Sequence, residues 1–238
     1  MNIIALIPAR AGSKSIKNKN IKKLKNKYLI YYPIETAKKI KIFDRIIVST
    51  DSKKIAKIAK NGGAEIPFFR PKKISKNSSL DIEYIKHFIS KMNLKNKNTI
   101  IVILRPTTPI RDHKIIKKAI NSFKSGKYDS LRSVSISKES PFKMWIKKNK
   151  NLILPFMGEK NIKLTNFPRQ KLKKTYWQNG YVDITKVETI MKYGNELGKK
   201  VKFFEIDHEI VEIDYKSQLK VAQFKTILRK KDGKIYPS

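Results

Sequence analysis

The stretch Ile3-Ile4-Ala5-Leu6-Ile7-Pro8-Ala9-Arg10-Ala11-Gly12-Ser13-Lys14, continued at Lys17-Asn18-Lys19-Asn20, decides how this chain folds. Its first five residues are apolar and mostly β-branched, the composition of a strand buried on both faces of a parallel sheet. Pro8 lacks a backbone donor and ends the run. Gly12 permits a tight backbone path, and with Ser13 beside it the loop is expected to turn main-chain N–H groups towards an anion. Arg10, Lys14 and Lys19 surround the same point with fixed positive charge. A triphosphate requires this combination of donors and cations on a rigid strand end. The spacing matches neither G-x-G-x-x-G nor G-x-x-x-x-G-K-[ST], so neither the dinucleotide fingerprint nor the P-loop applies. Taken alone, the loop also reads as a basic surface turn after a core strand.

Outward from this stretch, strand and helix patterns alternate, which predicts an α/β fold with a mostly parallel sheet. Leu29 to Ile40 carries apolar residues at helical spacing, with Pro33 tolerated in the first turn. Arg45 to Asp51 reads as a second strand, and Lys53 to Lys60 as a helix closed by Gly62-Gly63. Glu65 to Phe69 is expected as a third strand. Ser79 to Met92 is expected as a helix, with Ser78 or Ser79 as its cap and Glu83 completing a capping box. Strands at Thr99 to Leu104 and Ser130 to Ser137 flank a helix from His113 to Lys124.

From Pro141 to about Lys174 the alternation breaks, as in an insertion or arm of short strands. A strand at Gly180 to Ile184, a helix at Thr189 to Leu197 and a strand at Val201 to Ile206 follow. The tail pairs Val211 to Asp214 with a closing helix, Gln218 to Leu228. One domain over residues 1–238, with an arm at about 141–174, is the simplest organisation.

The chain has 238 residues, enough for one large core, and no cysteine, which excludes disulfides and thiolate metal sites. The opening strand is too short to span a bilayer and has no basic leader, so the expectation is a cytoplasmic protein with no membrane partner. Fifty-five Lys and Arg stand against nineteen Asp and Glu, a formal charge of +36. A strongly basic domain is the footprint of nucleic-acid binding. Here, however, the excess is nearly all Lys, spread over every expected helix face, and accompanies abundant Ile and Asn. It reads as a bias of the whole chain that steers anionic substrates, with no nucleic-acid partner expected. His87, His113 and His208 show no metal-ligand spacing, and no Ser/His/Asp or Cys/His constellation is visible. Trp145 and Trp177 read as arm and core packing.

Open α/β sheets bind ligands outside the carboxyl ends of their strands. Arg10 to Lys19, Ser49-Thr50-Asp51, Arg70, Arg105 to Arg111 and Asp214 all fall at such ends, a set suited to a large anion. Asp51 alone also reads as a helix cap.

These blocks resemble a known family. Ile7-Pro8-Ala9-Arg10-Ala11-Gly12-Ser13-Lys14 with Lys17-Asn18-Lys19-Asn20-Ile21 is similar to the opening signature of the acylneuraminate cytidylyltransferases. The likeness continues through Phe43 to Asp51, Phe69-Arg70-Pro71, Arg105-Pro106-Thr107-Thr108-Pro109-Ile110-Arg111, Pro168-Arg169-Gln170 with Tyr176, Asn179-Gly180, and Glu212-Ile213-Asp214.

The resemblance implies a Rossmann-like nucleotidyltransferase of the glycosyltransferase-A type, with an inserted dimerisation arm and a homodimer. It implies CMP transfer from CTP, with Mg²⁺, to a 2-keto-3-deoxy sugar acid (a nonulosonate of sialic, legionaminic or pseudaminic type) with release of pyrophosphate. By the same likeness Arg10, Ala11, Gly12, Ser13, Lys14, Lys19 and Asn20 would hold CTP, with Arg70 at the cytosine ring. Lys19, Arg10 and Asp214 would be the catalytic groups, and Asp214 with Glu212 would hold the metal. Arg105, Thr107, Arg111, Arg169, Gln170, Tyr176 and Asn179 would line the sugar site, with Arg111 and Arg169 gripping the carboxylate.

Three departures stand out. Glu212 replaces the first Asp of an Asp-x-Asp, Arg105 replaces a Gln, and Lys171-Leu172-Lys173 replaces Asp-Leu-Pro. The alternatives are a cytidylyltransferase for 3-deoxy-manno-octulosonate, or a non-catalytic basic protein that binds nucleic acid. No general base is assigned.

Overall fold

A computed structural model describes residues 1–95 and 98–232. β1 (Ile3–Pro8) leads through a 3-10 turn at Lys19–Ile21 and a small antiparallel pair, β2 (Lys23–Leu24) and β3 (Lys27–Tyr28), into α1 (Tyr31–Ile40). Then come β4 (Arg45–Ser49), α2 (Lys53–Asn61), α3 (Asp81–Lys91), β5 (Ile100–Ile103), α4 (His113–Lys124) and β6 (Ser130–Ile136). A short ribbon, β7 (Trp145–Lys147) with β8 (Ile153–Pro155), precedes the long β9 (Tyr176–Lys186). The remaining elements are α5 (Val187–Tyr193), β10 (Val201–Glu205) and α6 (Lys216–Asp232).

Six strands form one sheet in the order β10-β6-β9-β5-β1-β4. Five run parallel, and β9 is antiparallel to both its neighbours. From β1 the chain goes first to β4 on one side and then to β5 on the other. The strand order therefore reverses at β1, and such a switch point opens a crevice at the carboxyl ends.

Both faces of β1 are covered, which is why its sequence shows no polar alternation. Ile3, Ala5 and Ile7 pack with Ile34 and Ala37 of α1, Ile55 of α2, and Ile116, Ala119 and Phe123 of α4. Ile4 and Leu6 face Tyr84, Ile85 and Phe88 of α3 and Val187 and Ile190 of α5. A third cluster joins Ile16, Leu24 and Leu29 to Val211, Ile213 and Ala222, so that α6 is tied to the loop after β1.

Four local expectations need correction. Glu65 to Phe69 forms no strand; one parallel bridge, Ile47 with Glu65, is made, and Pro67 then removes the donor a ladder would need. Neither Ser78 nor Ser79 caps α3. Glu83 Oε2 accepts the Leu80 N–H at 2.7 Å, while Ser79 Oγ accepts from Lys76. Residues 211–214 pair with no strand among the described residues; the Ile213 N–H instead donates to the Thr107 carbonyl at 2.7 Å. The strand expected at Gly180 to Ile184 extends over eleven residues, with a bulge opposite Arg132 and Val134.

That bulge explains Asn179. Its Oδ1 accepts from Ser133 Oγ (2.7 Å) and the Tyr181 N–H (3.1 Å), and its Nδ2 donates to Ser135 Oγ (2.9 Å). The side chain thus replaces missing ladder bonds. Gly180 follows at φ +62°, a conformation that strains any residue with a Cβ.

Residues 141–174 form the ribbon and several 3-10 turns, leaving Trp145, Ile146, Ile153 and Phe156 exposed. No described helix is long and apolar enough to cross a membrane.

Candidate active site

A cleft of about 520 Å³ opens at the switch point. The loop after β1 supplies Arg10, Ser13, Lys14, Lys19 and Asn20. Arg70 and the start of α3 supply the opposite wall, the segment after β5 supplies Arg105 and Thr107, and Asp214 closes it. Each wall is a strand end or a helix start, and this explains why residues far apart in the chain meet here.

The loop is pinned from behind. The Ala11 N–H donates to Asp51 Oδ1 at 2.8 Å, and Asn20, buried, donates from Nδ2 to the Arg10 carbonyl at 2.9 Å. The Ser13 N–H is taken by the Ala11 carbonyl. Two main-chain donors expected to face an anion, those of Ala11 and Ser13, are therefore committed inside the protein. Gly12 is not in the left-handed region, and a Cβ there would come no nearer than 4.0 Å to Arg10 Nη1. Backbone strain does not explain this glycine.

Lys19 Nζ lies 2.8 Å from Asp214 Oδ1 at the cleft wall, with the lysine side chain 12% exposed and the aspartate 49%. Asp214 is held in place by Gln218, whose Oε1 accepts the N–H groups of Asp214 and Tyr215 at 2.7 and 2.8 Å. Glu212 stands behind it, and burial, reinforced by the charge of Asp214, pushes its carboxyl above the usual range. Asp214 thus puts one carboxylate in the cleft, and Glu212, two residues before it, stands outside the lining. No group of three or more metal-ligating side chains exists among the described residues.

Arg70 is buried, donating from Nε and Nη2 to Ser49 Oγ (3.0 Å) and the Ser49 carbonyl (2.9 Å), with its guanidinium 4.6 Å from the Tyr84 ring centre. Burial lowers its pKa and raises that of the Tyr84 phenol, which stays a neutral donor. Arg105 bridges two carboxylates, Asp183 and Asp81. Burial opposes its charge, yet Asp183 and then Asp81 hold it firmly protonated. Its charge is already matched inside the protein by two carboxylates.

Five expected sugar-site residues do not line this cleft: Arg111, Arg169, Gln170, Tyr176 and Asn179. Arg111 is spent on backbone, donating to the carbonyls of Tyr181, Thr108, Arg105 and Gly180. Burial drops its pKa to about 9. It splints the segment after β5 and is not free to grip a carboxylate. Arg169 donates to the Ser137 carbonyl, Gln170 is exposed on the arm, and Tyr176 packs edge-on against Phe203.

Sequence reasoning missed Asp81, Tyr84 and Asp183. A lone carboxylate inside the apolar run Tyr181-Val182-Asp183-Ile184 was the available signal. Asp183 is fully buried and also lies 3.7 Å from Arg132. Its replacement by Ala would strand two mostly buried guanidiniums. The expected cost is about 3 kcal/mol, seen as a melting temperature lowered by roughly 6–12 °C.

The switch-point cleft, its cationic loop and the Lys19–Asp214 pair define a nucleotide-binding α/β protein. The sequence profile of the cytidylyltransferases matches residues 4–192, and the chain belongs to that family. Over 226 residues it is 29% identical to the post-translational flagellin modification protein B of Campylobacter coli, covering 93% of this chain and 94% of that one. It is 32% identical to the pseudaminic acid cytidylyltransferase of Campylobacter jejuni, over 76% of each chain. It is 37% identical to the N-acylneuraminate cytidylyltransferase of Escherichia coli, but over only 57% of this chain and 32% of that longer protein. Among solved structures, CMP:2-keto-3-deoxy-manno-octonic acid synthetase complexed with CTP aligns with a TM-score of 0.71 at 11% identity, covering 96% of this chain and all of the other. That likeness concerns the fold alone.

Proposed function

We propose that the chain transfers CMP from CTP to the anomeric hydroxyl of a nonulosonate of the sialic, legionaminic or pseudaminic type, releasing pyrophosphate. The observation that carries this reading is the meeting of Arg10, Lys14, Lys19 and Asp214 around one cleft at the switch point. The relatives that act on pseudaminic and N-acylneuraminic acids support the acceptor class.

In this reading Arg10, Ser13 and Lys14 hold the β- and γ-phosphates, and Lys19 neutralises charge on the leaving pyrophosphate. The anomeric oxygen attacks the α-phosphorus in line, so catalysis is chiefly positioning and charge stabilisation. Asp214, with Glu212 behind it, would hold a divalent cation, Mg²⁺ by the hardness of the donors; when bound it offsets phosphate charge. Asn20 acts by fixing the loop, while Thr107 borders the acceptor.

The test is pyrophosphate release with CTP, Mg²⁺ and a panel of eight- and nine-carbon keto sugar acids. Turnover with a nine-carbon acid supports the reading. Turnover with only the eight-carbon acid moves the substrate to the octulosonate class, and none with any acid in folded protein removes the proposal.

The reading extends to one domain with an inserted arm at about 141–174 and to a homodimer. Trp145, Ile146, Ile153 and Phe156, together with Trp177 and Phe203, are large exposed apolar side chains, the kind of surface a second copy would cover. The double variant Trp145→Ser, Phe156→Ser should shift the mass measured by light scattering from two chains to one. A wild-type chain that is already monomeric would contradict the dimer.

A further inference from the structure

The wall of the cleft facing the cationic loop is built differently from it. Arg70, Arg105, Asp81 and Asp183 carry charges that cancel, so this end has no pull on an anion. It offers hydrogen-bonding edges instead. Arg70 uses Nε and Nη2 on Ser49, and among the described residues Nη1 has no protein partner. Asp81, in the first turn of α3, gives Oδ2 to Arg105, and its Oδ1 has no protein partner among them. In the same wall the Tyr84 hydroxyl, in a residue 3% exposed, is buried without a hydrogen-bond partner among the described residues. Leaving such a group unpaired is costly, and its position in the cleft wall marks a place where a ligand or an ordered water completes the site.

A donor edge beside an acceptor edge complements one kind of ring. Cytosine presents acceptors at O2 and N3 and a donor at its 4-amino group. Uracil differs by placing a carbonyl where the amine stands, and that oxygen would face a carboxylate. We propose that Asp81 selects the base, with Oδ1 accepting a hydrogen bond from the 4-amino group of the pyrimidine while Arg70 Nη1 donates to the ring's acceptors. Arg105 is the positioning residue: anchored by the fully buried Asp183, it holds Asp81 in the cleft. The sugar acid and the triphosphate, both anionic, belong at the loop of Arg10, Lys14 and Lys19. This inference rests on the reading of CTP as a substrate.

The test is the affinity of the full chain for CTP and for UTP, by calorimetry in Mg²⁺, with circular dichroism confirming the fold of each variant. The wild type should prefer CTP by roughly 10- to 100-fold, the worth of one hydrogen bond to a charged acceptor. Asp81→Asn, whose amide both donates and accepts, should bring the two nucleotides to within about threefold of each other. Arg105→Gln should relax the same ratio in part, whereas a merely structural role would weaken both nucleotides alike. An Asp81→Asn protein that keeps the wild-type ratio overturns this inference and leaves the cytidylyl reading standing. A wild type that binds neither nucleotide overturns both.

Discussion

Lys19→Ala is expected to lower kcat by about 10²–10³-fold, the effect of removing one preorganised charge from a developing anion. The KM for CTP should rise as well, since the same ammonium lies at the cleft wall before reaction. Stability should hardly change. The partner carboxylate of Asp214 is about half exposed, so losing the pair costs about 1 kcal/mol or less. The diagnostic result is therefore a split: turnover collapses while the melting temperature moves by no more than a few degrees. A variant with near-normal pyrophosphate release would remove Lys19 from the reaction.

Asp214→Asn is the second large effect. The substitution keeps the shape of the side chain and leaves the Gln218 contacts to the backbone of Asp214 and Tyr215 in place, so the start of α6 should survive. Only the charge disappears. Turnover at saturating CTP should fall at least about 100-fold. The residual rate should no longer climb as Mg²⁺ is titrated. Glu212 alone is a poor substitute, because it does not line the cleft. Ordinary Mg²⁺ activation in this variant would place the metal elsewhere in the cleft.

How much of this was legible in the sequence depends on what each residue type can reveal. The opening run Ile3 to Ile7 was readable because full burial on two faces leaves no polar residue, and β1 occupies that run plus Pro8. His113 to Lys124 was equally clear, since Asp112 caps α4 and its apolar spacing is regular. Glu65 to Phe69 misled because an apolar pattern says nothing of the donor that Pro67 lacks. The antiparallel direction of β9 was invisible as well: a residue buried in a sheet looks the same whichever way its strand runs.

The site shows the same limit. Sequence pattern places Arg10, Lys14, Lys19, Arg70 and Asp214 at strand ends, and the cleft brings them together. It does not reveal whether a side chain's donors are already spent. Arg111 and Asn179 sit in motifs that suggest a ligand, yet backbone carbonyls and a β-bulge consume them. The charge of Arg105 is likewise consumed by Asp183 and Asp81. Such internal pairing is a long-range fact, set by packing and not by spacing.

In the proposed reaction the α-phosphoryl group of CTP, with its nucleoside, passes to a sugar acid. The most direct measurement follows the label from CTP carrying ³²P at the α- or the γ-position, with Mg²⁺ and the acceptor sugar acid. The α-label should appear in a CMP–sugar conjugate while γ-label leaves only as pyrophosphate. Release of α-label as free CMP with no conjugate, or transfer of γ-label to the sugar, would contradict it, the first by showing hydrolysis and the second by showing a kinase.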